Sequence, residues 1–233
     1  MKIKTNDIIA ELFIVVFALV AILATCMSTN AEMNRTSFYY YTIQSNIWIG
    51  ISSLAFAIVK MMSHKGKNIR IPNWFYVLKY ISVVGITLTM IVFWTLLAPA
   101  MGNLAYLFSM SNLFAHTLTP IMAIISFLFF DCRQHKLSVK TSFLSITTPF
   151  YYLAFALILS STGFLFYQAR MPYFFVDFYE FGWFGFSTYS QGYGFSSFGV
   201  FYWLLIVLAI TYSIGILFII SNYLIYKYAK KCR

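Results

Sequence analysis

A chain of 233 residues that is 61% hydrophobic and only 9% charged is not a soluble domain, since such domains carry about 25% charged residues. Its net charge of +10 raises nucleic acid as a partner. The basic residues, however, cluster at the ends of apolar runs, which excludes that class and points to a membrane.

The apolar runs fall at about 8–28, 39–62, 74–98, 109–130, 142–168 and 197–226. Each approaches or exceeds the roughly 20 residues needed to cross hydrocarbon. The expected architecture is an all-α membrane protein, a single domain over 1–233 with six transmembrane helices in one bundle. The first run follows Lys2 and Lys4 and resembles a signal peptide from Ile8 to Ala24. Leu-Ala-Thr-Cys at 23–26 approaches a lipoprotein cleavage box. Thr25 is too large for the position before the cysteine, and Asp7 and Glu11 intrude on the apolar run, so the helix is expected to be retained. The two acids suit the positive end of a helix dipole. Glu32 and Arg35 in the first loop are expected to pair weakly.

The second run opens on a polar cluster, Thr42-Ile43-Gln44-Ser45-Asn46. Lys60, Lys65, Lys67 and Arg70 mark the junction with the third run, and Lys79 sits just inside that run. The fourth run holds His116 and Pro120. Arg133, Lys136 and Lys140 follow it, and Lys227, Lys230, Lys231 and Arg233 follow the sixth run. With six alternating helices, thirteen of the sixteen basic residues share one side, and only Arg35 and Arg170 lie in the opposite loops. The positive-inside rule then places both termini in the cytoplasm. His64 and His135 fall in the basic loops and read as solvated. The loop at 169–196 is too aromatic for water. It is expected at the outer interface, as an anchor or as a lid over acyl chains, with Asp177 and Glu180 as solvated charges. Short loops and three unpaired cysteines, with Cys26 on the opposite side from Cys132 and Cys232, point to a bacterial plasma membrane. No metal-ligand spacing, phosphate loop or hydrolase elbow is present, so no metal or cofactor is expected.

An ionisable residue inside the membrane marks a functional site by default. His116 shares a helix face with Ser109, Asn112 and Thr119, and Thr42 shares one with Ser45 and Asn46, because residues three and four apart are neighbours. Gln44 points roughly the other way. Counted from the outer boundary, Thr42 lies ~6 Å deep and His116 ~10 Å. Pro120 cannot donate to the carbonyl of His116, so a kink and a free carbonyl are expected there. A threonine hydroxyl becomes a nucleophile when a neutral histidine takes its proton. Asn46 and Asn112 could donate to the developing oxyanion, and Gln44 only if its helix is rotated. The same stripes could line a transport or solute-binding path, or serve only to pack helices in a scaffold.

At these two segments, Tyr-Tyr-Thr-Ile-Gln-Ser-Asn (40–46) and Asn-Leu-Phe-Ala-His-Thr-Leu-Thr-Pro (112–120), the chain resembles the androgen-induced-gene family of integral membrane proteins and its bacterial relatives. The resemblance implies a threonine hydrolase that cleaves fatty acid esters of hydroxy fatty acids, with Thr42 as nucleophile and His116 as its partner. Acyl transfer between lipids is the near variant. Membrane lipids and an acyl-ester substrate are the implied partners. In the bacterial branch an acid often follows the proline. Position 126 here is Ser, and the next acid is Asp131.

Overall fold

The computed structural model describes residues 4–27, 33–64, 71–101, 104–167 and 169–231. Among the described residues, six helices are long and apolar enough to span a membrane: α1 (Thr5–Cys26), α2 (Tyr41–His64), α3 (Asn73–Leu97), α4 (Met110–Asp131), α5 (Val139–Ser161) and α6 (Val200–Lys231). The chain is therefore a multi-pass integral membrane protein. α3 is central and touches α2, α4, α5 and α6, while α1 packs on α2 and α4. Ile14, Ile49, Phe56, Tyr80, Val83 and Phe127 fill the core between them. Leu19, Ile51 and Leu217 point outward, as lipid-facing side chains do.

The fifth span stops at Ser161, although the apolar sequence runs on to 168. Gly163, at φ 80°, ends it. The Phe164 N–H reaches the Leu159 carbonyl and the Gly163 N–H that of Ser160, the paired closure of a Schellman motif. Phe164, Phe166 and the segment that follows fold back as a cap over this end of the bundle. The cap contains a short helix, Phe178–Phe181, and a hairpin of β1 (Thr188–Ser190) and β2 (Phe195–Ser197). The first N–H groups of a helix lack internal partners. For α6 the cap supplies them, since Val200 and Phe201 donate to the carbonyls of Gly182 and Trp183.

Four expectations are corrected. Asp7 and Glu11 are fully buried and do more than complement a dipole. Glu11 accepts from Lys60 at 2.8 Å and Lys79 at 2.5 Å, and Lys60 also meets Asp131 at 2.7 Å. Lys60 is thus an interior charge of α2, not a loop charge. Asp177 is buried at 3% exposure. It caps the short helix by accepting from the N–H groups of Tyr179 and Glu180, and it accepts from the Tyr193 hydroxyl. Burial raises its carboxyl pKa, opposed by these hydrogen bonds. His135 stacks on Tyr76 and bonds Asn73. Lys2, Glu32, Lys65, Lys67, Arg70, Cys232 and Arg233 lie outside the described residues, and so does the expected Glu32–Arg35 pair.

Candidate active site

Thr42 is the second residue of α2, and His116 lies six residues into α4. The helix around His116 is not a regular α-helix. Phe114–Leu118 forms a π-helical turn in which the Thr119 N–H bonds the Phe114 carbonyl. π-turns inside α-helices frequently occur at functional sites. Here Pro120 explains part of the consequence. With the Thr119 N–H taken and Pro120 unable to donate, the Ala115 carbonyl has no helical partner. The side-chain amide of Asn46 donates to it at 3.3 Å and to the Thr42 carbonyl at 2.8 Å. The π register thus also frees a carbonyl one residue before the expected His116, and α2 answers it.

The His116 ring stacks on Phe93, with centroids 3.7 Å apart and planes 8° from parallel. Phe93 opens another π-turn, Phe93–Leu97, in α3. The ring makes a polar contact with the backbone carbonyl of Thr89. Nδ1 is buried and has no hydrogen-bond partner. The ring is therefore clamped by the stack, and its Nδ1 is uncommitted.

Thr42 and His116 border the same two cavities. One runs deeper between α3, α5 and α6 and is lined by Leu88, Val92, Leu153, Trp203 and Val207 among others. The other opens toward the cap and includes Ser37, Tyr40, Tyr106, Asn112 and Tyr167. Thr42, Leu97, His116 and Tyr173 belong to both walls.

Tyr173 descends from the cap. Its phenol oxygen lies against the Thr42 hydroxyl and against the backbone N–H groups of Tyr41 and Thr42. The next two N–H groups, of Ile43 and Gln44, are taken by the Tyr40 carbonyl. Tyr173 therefore sits at the positive end of α2. Burial pushes its phenol pKa up and keeps it protonated.

Of the residues the sequence pointed to, Thr42, His116 and Asn112 come together around one space. Asn112 spends one amide hydrogen on the Tyr106 carbonyl and borders the cavity nearer the cap. Asn46 lies behind the site, with both amide hydrogens engaged as a tie between α2 and α4. Gln44 faces a separate cavity with Trp48 and Leu78, and donates to the Phe38 carbonyl. Tyr173 and the α2 N–H groups were not anticipated. A helix N-terminus beginning at the candidate nucleophile was the available signal.

No protein-family model, curated protein or solved structure matches this chain. The resemblance to the androgen-induced-gene family rests on the two short segments that carry Thr42 and His116.

Proposed function

We propose that the protein is an intramembrane lipid-ester hydrolase, with Thr42 as nucleophile and His116 as general base. Its termini face the cytoplasm, and the bacterial plasma membrane is its proposed location. One observation carries the reading. Thr42 and His116, from different helices, border the same cavities, and His116 Nδ1 has no partner.

Nδ1 takes the Thr42 proton as Oγ attacks the ester carbonyl. The carbonyl oxygen becomes an oxyanion beside the N–H groups of Tyr41 and Thr42, where the Tyr173 phenol now rests. Backbone donors fixed at a helix N-terminus suit that charge without reorganising. The bond to the alcohol breaks, and the alcohol leaves with the proton from His116. Water then attacks the acyl-threonine, giving its proton to Nδ1. Thr42 leaves, takes that proton back, and the free acid is released. An alcohol in place of water makes the same site an acyl transferase.

A fluorophosphonate probe tests this on purified protein. Wild type should label at Thr42, and Thr42→Val and His116→Ala should not. Tyr173→Ala, which opens the space over Thr42, excludes a closed site as the cause of a negative result. No labelling of either wild type or Tyr173→Ala would overturn the reading.

A further inference from the structure

The two cavities that meet at Thr42 and His116 differ in chemistry. The deeper one is lined almost wholly by hydrocarbon and aromatic carbon. The one toward the cap presents the side chains of Thr25, Ser37, Tyr106, Asn112 and Tyr167, which are hydroxyls and one amide. Among its described lining residues there is no Lys, Arg, Asp or Glu. The chain has formal charges nearby in sequence, at Arg35 and Arg170, and neither borders the cavity.

This polarity has a direction. Thr25 ends α1, Ser37 precedes α2, and Tyr106 and Asn112 flank the start of α4, so the hydroxylated cavity lies at the end of the bundle. Leu88, Val92 and Val207 lie farther along their helices. An amphiphile would therefore lie with its head toward the interface and its tail inward, as it already does in a bilayer. The ester bond, between head and tail, falls at the four residues common to both walls.

We infer that the substrate is an ester of a small, neutral, hydroxylated alcohol, of the monoacylglycerol kind. The acyl chain occupies the deeper cavity and the alcohol the hydroxylated one. The inference rests on the hydrolase reading and deepens it. Hydroxyls and an amide can both donate to and accept from a polyol. An anionic head, whether phosphate or carboxylate, would enter a partly dry space with no cation to answer it, which is costly.

The experiment compares three oleoyl esters with wild-type protein in nanodiscs: monooleoylglycerol, oleoyl lysophosphatidate and the oleic ester of hydroxystearic acid. Released oleic acid and protection of Thr42 from the fluorophosphonate are both read. Monooleoylglycerol should be cleaved and should protect, and both anionic esters should be slower by about tenfold or more. Tyr106→Lys, at the half-exposed rim, should shift the ratio toward lysophosphatidate by about tenfold. Equal or faster cleavage of an anionic ester by wild type would overturn the inference and leave the hydrolase reading standing. So would a ratio unmoved in a folded Tyr106→Lys protein. If nothing is labelled or cleaved, the hydrolase reading fails, and thermal stabilisation of Thr42→Val protein decides the rest. Stabilisation by monooleoylglycerol over both anionic esters would keep the head-group assignment, and its absence would end it.

Discussion

Two buried polar regions occupy opposite ends of this bundle, and they are built on opposite terms. At one end Glu11, Lys60, Lys79 and Asp131 contribute one charge each from α1, α2, α3 and α4, all at 0–1% exposure. Each meets an opposite charge, and Ser53 and Ser126 add hydroxyls to Lys79 and Glu11. None of the four borders the cavities at Thr42. At the other end His116 borders both cavities and is held by a stack on Phe93, with Nδ1 buried and unpaired. Paired charges join helices even with one carboxylate oxygen, Asp131 Oδ2, left over, whereas an unpaired histidine that borders a cavity is available for chemistry. The two ends are also coupled. Lys60 lies 18 residues beyond Thr42 on α2, and Asp131 lies 15 beyond His116 on α4. These separations are roughly 27 and 22 Å along the helices. The ion pairs thus fix the relative height of the two helices that carry the site.

The comparison predicts its sharpest contrast at Glu11. Glu11→Gln leaves Lys79 without its carboxylate and Lys60 with Asp131 alone, and removing one partner of a buried pair costs about 3–5 kcal/mol. Adding Lys79→Met restores the charge balance around Lys60 and Asp131 and should recover much of the loss, which a double-mutant cycle reads as coupling. Cys26 and Cys132 are buried and free, so a thiol-reactive dye follows unfolding. If Glu11→Gln unfolds like wild type, the cluster is not the joint described here.

A smaller loss is expected where the cap meets α6. A Cβ on Gly199 would lie 2.6 Å from the Trp183 carbonyl oxygen and 2.7 Å from the Gly185 nitrogen. Both are backbone atoms that cannot turn aside. Gly199→Ala should cost about 1–3 kcal/mol and loosen the cap while the charge cluster holds. Hydrogen exchange confined to residues 169–199 would show it, and protection unchanged there would place the strain elsewhere.

How far the sequence could be read differs between these regions. The six spans were legible because hydrocarbon demands long apolar runs, and the ends most misplaced were that of the sixth, which runs on to Lys231, and that of the fifth. There Gly163 turns a chain whose composition does not change. The juxtaposition of Thr42 and His116 could be posed, from matching depth and helix face, but not decided, since neither reports how α2 and α4 are rotated. The charge cluster was missed because Lys60 and Asp131 were assigned to helix ends. Asp7 and Glu11, four apart on one face, with Lys79 inside a span, were a signal that interior charges need partners. The π-turns were illegible, because their hydrogen-bond register leaves no periodic trace over five residues.

Tyr173→Phe tests the boundary between the cap and the site. Its stability cost should be that of one neutral hydrogen bond, about 0.5–1.5 kcal/mol. The Tyr41 and Thr42 N–H groups lose their phenol and become free for a phosphonate oxygen. Labelling should therefore accelerate by several-fold, by about 1 kcal/mol on the barrier. Labelling lost with the fold intact would mean that the hydroxyl assists the reaction and does not merely hold a place.

Thr42→Val should have the smallest effect on stability and the largest on labelling. The substitution keeps the branched shape and removes a hydroxyl that borders two cavities and whose phenol neighbour keeps the two N–H groups. The cost should stay below about 1 kcal/mol. A residue retained for packing or for a helix tie would behave like Asn46, whose amide holds two carbonyls at once and whose replacement by Leu would leave both without that donor. Thr42→Val and Asn46→Leu measured side by side therefore separate the two kinds of buried polar group within one turn of α2. Intact stability with lost labelling in the first, and lost stability in the second, is the pattern expected of a nucleophile standing beside its scaffold. Equal loss of stability in both would assign Thr42 to the scaffold and remove the basis for a reaction at this site.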